Sequence, residues 1–283
     1  MAGTFLNPNS RNGRDEGVAA DGTLNMLSGK TGYPVKRDTS FRRMEPAQHR
    51  LKVPQRRLER RDHALLSEII EAHGGRRRAA FERIEADIVT TGGLFPLKGL
   101  ATDPTVRRMT AWLHEVRASV TPFGAPDQRT SFTPDRVAIE KLDGSVVAES
   151  RDFAALFSGH GLGTPWGPLH RAHFNGYAMW TYLNTPFLLG MDGVEVVERE
   201  PWREEGEEWR VLRAWLPGTM VSHSRYQDFY FGPDRMLRRH DYQVDVAGGM
   251  LAAQLTGTMP RPTGSGCRHA AAPMRAAGQP AGL

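Results

Sequence analysis

The sequence predicts an α+β domain built on a strongly curved antiparallel β-sheet, a half-barrel covered by a few helices. Three observations carry this. Four strand-like runs follow one another at residues 194–200, 208–216, 224–231 and 236–246, separated by turn residues such as Gly232-Pro233-Asp234. Asp143-Gly144 sits between two further apolar runs, the strongest short-range hairpin signal. Helical periods precede and interrupt the strands instead of following each one, which argues against a βαβ arrangement.

Each element has its own local reason. Leu65, Leu66, Ile69, Ile70 and His73 recur at three and four residues, the period of an amphipathic helix, with Asp62 as N-cap and Gly74-Gly75 as its end. Ala79, Ala80, Phe81 and Ile84 predict a second short helix. The period then changes to two. Trp112, His114, Val116, Ala118 and Val120 alternate with Leu113, Glu115, Arg117 and Ser119, which predicts one strand. Residues 136–142 and 146–150 form the hairpin around Asp143-Gly144. Asp152 caps a short helix ending at Gly159, and a Gly/Pro-rich loop runs from 159 to 168. Residues 170–183 read as an aromatic helix that stops before Pro186. After Met250 the patterning dies, so the folded domain is expected over 61–250. Residues 1–60 are expected to be a disordered basic tail, and 251–283 a second unpatterned, disordered tail.

Charge follows the same division. The whole chain carries a net charge of +5, but residues 1–61 hold 13 bases and 6 acids, whereas residues 62–260 hold 21 bases and 26 acids. The basic character belongs to the ends. A sequence-specific nucleic-acid binder carries its basic stripe on folded structure, so specific nucleic-acid recognition is not expected. A tail that touches polyanions without specificity remains a possible role. No apolar run is long enough to span a membrane. Residues 1–10 lack a charged region followed by an apolar one, so no secretory signal is expected and the localisation is expected to be cytoplasmic. The single cysteine, Cys267, excludes an internal disulfide framework and a multi-cysteine zinc site.

Motifs for familiar chemistry fail on inspection. Leu27-Ser28-Gly29-Lys30-Thr31 suggests a phosphate loop, but Leu24 stands where the motif needs glycine. His114-Glu115 does not open a zinc-protease motif, because Ala118 stands at the second histidine position. No Gly-x-Ser-x-Gly elbow occurs. His170 and His173 share a helix face, but two histidines need a third ligand to hold a metal. Neither metal nor cofactor is expected.

The candidate binding residues come from strand alternation. Arg238, His240, Tyr242 and Val244 share one face of the 236–246 run, opposite Leu237, Arg239, Asp241, Gln243 and Asp245. Trp209, Val211, Arg213 and Trp215 share a face of the 208–216 run, and Trp112 shares one with His114. If these faces point inward, cations lie among large apolar groups. Such cations must find carboxylates, for example Glu140 or Glu195, or must serve a ligand. On the aromatic helix Phe174, Tyr177 and Trp180 add rings, as core or as a lid. The inward placement predicts a neutral His240, with desolvation and repulsion from Arg238 acting together. It also predicts that Asp241→Asn, on the outside, is mild.

The segments Glu71-Ala72-His73-Gly74-Gly75, Gly176-Tyr177-Ala178-Met179-Trp180-Thr181-Tyr182-Leu183 and Arg239-His240-Asp241-Tyr242 resemble those of an uncharacterised group of bacterial proteins. That group is distantly similar to lipoprotein carriers of the LolA and LppX type. The resemblance covers about residues 63–250 and implies a curved half-barrel whose cavity holds acyl chains. It carries over no catalytic residue. The chain departs from the carriers in lacking a visible export signal, a lipobox cysteine near its start and patterned strands after Met250.

Together these readings predict a protein that binds or carries a lipophilic or amphiphilic small molecule in an apolar cavity with a basic spot. The alternative is a cyclase or hydrolase of a lipophilic metabolite, with His240 as acid/base and Arg238 or Arg213 stabilising an anion. A scaffold with a polyanion-binding tail is the third reading. The residues do not decide whether a reaction is catalysed, nor the oligomeric state.

Overall fold

The computed structural model describes residues 60–256, except 91, 92, 102, 103 and 205. Of the two expected tails, 1–60 and 251–283, residues 1–59 and 257–283 lie outside the described residues. Within them the molecule is α+β, with antiparallel strands throughout.

Helix α1 (Arg60–Ala72) is followed by a 3-10 turn at Gly75–Ala80. Sheet one then forms from β1 (Arg83–Ile88), β2 (Arg107–Trp112), β3 (Ala118–Thr121), β4 (Gln128–Thr133), β5 (Arg136–Lys141) and β6 (Val146–Ser150). A four-residue helix α2 (Leu94–Leu97) interrupts it between β1 and β2. Short α3 (Phe153–Leu156) and long α4 (Pro168–Asn184) come next. Sheet two is β7 (Glu195–Glu204), β8 (Glu207–Trp215), β9 (Tyr226–Phe231), β10 (Leu237–Val244) and β11 (Met250–Leu255). Each sheet is a meander in which strands pair in chain order. Among the described residues no helix is long and apolar enough to cross a membrane.

The local signals act as expected at several points. Asp143 accepts bonds from the Ser145 backbone and hydroxyl at 2.8 and 2.7 Å and tightens the β5–β6 turn. Asp152 accepts from the Ala155 amide at 2.9 Å and caps α3.

Other expectations need correction. The single strand expected across 112–120 is two strands, β2 and β3, joined by the turn 113–117; His114 lies in that turn and is exposed. The second helix expected at 79–84 is the 3-10 turn ending at Ala80, and Ile84 already belongs to β1. Strand β11 lies where no pattern was expected. Its Met-Leu-Ala-Ala-Gln-Leu run is too short and too rich in alanine to show a period, yet it pairs with β10 along six residues.

Helix α4 organises the core. Residues 172–182 are buried without interruption, as expected of a helix enclosed on all sides. One continuous apolar cluster joins it to both sheets, with Phe132 and Val137 from sheet one and Leu212, Phe229 and Val244 from sheet two. Its contact with β4 is close: a Cβ on Gly176 would lie 2.4 Å from the Phe132 ring.

Candidate functional site: a buried file of histidine and tyrosine rings along helix α4

From Arg239 onward on β10, and along β8, the strand faces are partitioned as the alternation predicts; a register shift between Leu237 and Arg239 turns Leu237, expected outside, against the main core. Only one of the two candidate faces points to that core. On β10, Tyr242 and Val244 enter the main cluster and His240 is 1% exposed. On β8 the main core takes Leu212, Ala214 and Leu216 instead. Trp209 and Val211 lie on the opposite face, in a small second cluster with Tyr230 and Trp202. Arg213 and Trp215 share that outer face, Trp215 packing edge-on against Tyr226 at 5.1 Å. This corrects the inward placement of Trp209, Arg213 and Trp215. The bulkier, aromatic face of β8 is the outer one, while the core takes the smaller Leu212 and Ala214; side-chain size does not give the direction of the core, and the assembly with α4 settles it.

The cations are neutralised locally. Arg213 grips Asp228 with two bonds of 2.7 and 2.6 Å. Arg238 lies beside the β9–β10 turn, 2.9 Å from Asp234 and 3.5 Å from Glu207. Glu140, one of the carboxylates expected to serve them, meets Arg136 and Arg129. Strand registers decide these pairs, since Arg213 lies directly opposite Asp228. The trio His240, Arg238 and Arg213 is therefore not assembled: Arg213 lies across the sheet from His240. Trp112 stacks under Arg117 at 4.1 Å, beside the exposed His114, which bonds the Phe81 carbonyl at 2.9 Å.

The remaining expected residues meet in a different arrangement, a file of rings along α4. At one end His160 stacks on His170 with centroids 4.7 Å apart. The Gly167 amide donates to His170 Nδ1 at 3.0 Å, so Nε2 carries the proton and donates to the Leu156 carbonyl at 3.0 Å. Phe157 bridges to His173, at 5.1 Å. His173 meets Tyr177 edge-on at 5.3 Å, and Tyr177 meets His223 at 5.0 Å. His223 stacks on Tyr242 at 3.9 Å and bonds the Tyr182 hydroxyl at 2.8 Å; the Tyr182 and Tyr242 hydroxyls are 2.6 Å apart. His240 ends the file, stacked on Phe229 at 4.1 Å. Gln227 donates its amide nitrogen to Ser222 and to the Ser224 carbonyl, which turns its oxygen to His240 Nε2 at 2.7 Å. The neutral His240 tautomer is thus Nε2–H.

Burial keeps the inner members of the file, His173, Tyr177, Tyr182, His223, His240 and Tyr242, uncharged. Desolvation pushes His240 down to about 3, and with a contribution from His170 it does the same to His173. His223 is pushed well below the ordinary imidazole range by burial and by His240. Burial likewise raises Tyr177, Tyr182 and Tyr242. His240 is neutral as expected, but the cause is desolvation alone, because Arg238 spends its charge on Asp234 and Glu207.

Several polar atoms of the file have no partner among the described residues. They are both nitrogens of His173, the hydroxyl of Tyr177 and Nδ1 of His223. At the loop end His160 Nδ1 and Trp166 Nε1 are in the same condition. A buried polar group left unpaired costs about 1–3 kcal/mol, and native structures hold few of them. Phe174 and Trp180 play a packing role: Trp180 Nε1 donates to the Trp112 and Glu115 carbonyls at 2.9 and 2.8 Å. Two open clefts, of about 790 and 510 Å³, border α1 and contain no residue of the file.

Sequence reasoning missed His223, Tyr182, Trp166 and Lys98. His223 lies in the loop before β9, where no period exists to assign it a face.

No family model matches the chain, and no curated protein matches it. Among solved structures, the crystal structure of the Mycobacterium tuberculosis lipoprotein LppX is similar at 14% identity, covering 69% of this chain and 93% of that one, with a TM-score of 0.24. The likeness is distant, and a superposition this loose transfers neither a site nor a ligand.

Proposed function

We propose that the domain binds a lipophilic small molecule bearing a polar group, held along α4 between the two sheets. The observation that carries this reading is the run of unpartnered polar atoms on His173, Tyr177 and His223, set among Phe157, Phe174 and other apolar side chains. A molecule with an apolar body and a hydrogen-bonding group satisfies both halves of that surface. The groups are neutral, so the polar group they address is a hydroxyl, carbonyl or amide. The basic spot expected from Arg213 and Arg238 has no support, since both are ion-paired. The acid/base alternative is also weaker: a histidine whose pKa lies near 3 is poorly tuned for proton transfer near pH 7.

The experiment uses the full chain, with hexadecanol as the probe in native mass spectrometry and the isosteric variant Tyr177→Phe. Uptake of hexadecanol by the wild type and weaker uptake by the variant are expected. Removing an uncompensated hydroxyl is also expected to stabilise the free variant by about 1 kcal/mol in urea unfolding. A wild type that takes up no hexadecanol, or a variant that is clearly less stable, counts against the reading.

A further inference from the structure

The loop end of the file contains a lysine that the binding reading does not use. Lys98, directly after α2, is completely buried. Its Nζ donates to the Gly161 carbonyl at 2.6 Å and lies 4.9 Å from the centre of the Trp166 ring. Among the described residues no carboxylate pairs with it, although a buried ammonium is costly without a counter-charge. A backbone carbonyl is a weak substitute: it carries a dipole, and the three donors of the ammonium receive one acceptor. The neighbouring polar atoms are also unsatisfied. Among the described residues the buried Trp166 Nε1–H has no partner, nor has His160 Nδ1, on a ring close enough to Lys98 to feel its charge.

The cover over Lys98 is the segment 159–163. A Cβ placed on Gly159, Gly161 or Gly163 would touch nothing within 4 Å, so these glycines are not there for close packing. The segment rests instead on the turn before β11, where a Cβ on Gly248 would come 2.9 Å from Gly161 Cα. It is held by that backbone contact, by Leu162 packed against the main apolar cluster, by His160 stacked on His170 and by the Lys98 bond, all of which an outward movement of the segment has to release.

We propose that Lys98 Nζ is the counter-ion for the carboxylate of a lipophilic acid, and that segment 159–163 is the flap that yields the place of the Gly161 carbonyl to that carboxylate. The inference rests on the binding reading above and gives that ligand a carboxylate at the loop end, in addition to the uncharged polar group addressed by His173, Tyr177 and His223. A single ammonium balances one negative charge, which a carboxylate carries and a phosphate monoester, at about −1.5 to −2, exceeds. Trp166 Nε1 can donate to the second carboxylate oxygen, and His160 can do so as the Nδ1–H tautomer.

The test compares palmitate with hexadecanol, which share the apolar chain and differ in the head. Both are expected to bind the full-length wild type, palmitate more tightly. Lys98→Met is expected to weaken palmitate about tenfold or more, the cost of losing a charged hydrogen bond, and to change hexadecanol less than about twofold. Because loss of a buried lysine can also perturb folding, the wild type is treated with a carbodiimide in the presence of palmitate. The reagent joins an amine and a carboxyl group in contact, taking up the water lost as the amide forms. Tandem mass spectrometry is expected to place the palmitoyl amide on Lys98. Hexadecanol binding together with unchanged palmitate affinity in Lys98→Met, or an amide found only on other lysines, overturns the inference and leaves the wider reading standing. A wild type that binds neither probe overturns both.

Discussion

His240 and Asp241 are neighbours on β10 with opposite surroundings, and both differ from the simple picture of an inside and an outside residue. His240 is held neutral by burial, with a folded pKa of about 3. An unfolded imidazole titrates near 6.5, so between those values the unfolded state binds the extra proton. The stabilising contribution is therefore complete above about pH 6.5 and is lost as the pH falls toward 3. Its slope is about 1.4 kcal/mol per pH unit within that window. His240→Gln keeps a donor for Gln227 and removes the titration. Urea unfolding at pH 7 and pH 5 is expected to show a smaller pH dependence in the variant than in the wild type. An equal dependence in both would place the proton elsewhere. Asp241 lies on the outer face, as alternation predicts, yet it is not exposed there. Arg239 bonds it twice, at 2.7 and 2.8 Å, and the Tyr230 hydroxyl donates to it at 3.0 Å. Arg239 itself lies 5.3 Å from the Trp202 and Tyr230 rings and 3.3 Å from Glu204. Asp241→Asn is therefore expected to cost about 1–3 kcal/mol rather than to be mild, because it leaves Arg239 less compensated. A loss below about 0.5 kcal/mol in chemical denaturation would show that Glu204 alone satisfies the guanidinium.

Helix α4 depends on a residue that a helix would otherwise avoid. Glycine inside a helix costs about 1 kcal/mol relative to alanine. At position 176 that cost is offset by the approach of Phe132, which leaves no room for a Cβ. Gly176→Ala is expected to destabilise by about 1–3 kcal/mol through overpacking, despite the better helix propensity. A stabilised variant would mean that Phe132 can swing aside. Strand β11 is a parallel case. Its Ala252 packs in the main cluster, and its backbone completes sheet two beside Tyr242 and Val244. A chain ending at Gly249 is expected to melt well below the full-length protein in a thermal scan, and an unchanged midpoint would make β11 dispensable.

The two sheets share one apolar cluster through α4, so neither can open without exposing the helix that supports the other. Hydrogen bonds reinforce the link: α4 reaches the turn of sheet one through Trp180, and sheet two through Tyr182. A single cooperative unfolding transition is expected, with tryptophan fluorescence and far-UV circular dichroism superimposing. Two separated transitions would show that the sheets are independent units.

Local patterning was enough for the class of fold and for much of its order. The Asp143-Gly144 hairpin, the aromatic helix before Pro186 and the alternation on β8 and β10 all follow from chemistry within a few residues. The same alternation grouped His240, Tyr242 and Val244 correctly, but the register shift between Leu237 and Arg239 breaks it for Arg238: Leu237 packs against the main core, and Arg238 reaches Glu207 beside Trp209. Direction and partnership are different in kind. Trp209, Val211, Arg213 and Trp215 form a true face, but a face says nothing about which side another element will cover, and here α4 covers Leu212 and Ala214. Arg213 meets Asp228 because β8 and β9 align in one register, which no single strand encodes. Lys98 is buried by a carbonyl 63 residues further along the chain, and its local sequence shows only a lysine between apolar neighbours. Periodicity is a property of neighbours in sequence, whereas burial, ion pairing and the desolvation that neutralises His173, His223 and His240 are properties of neighbours in space, which only the packing of α4 between the sheets brings together.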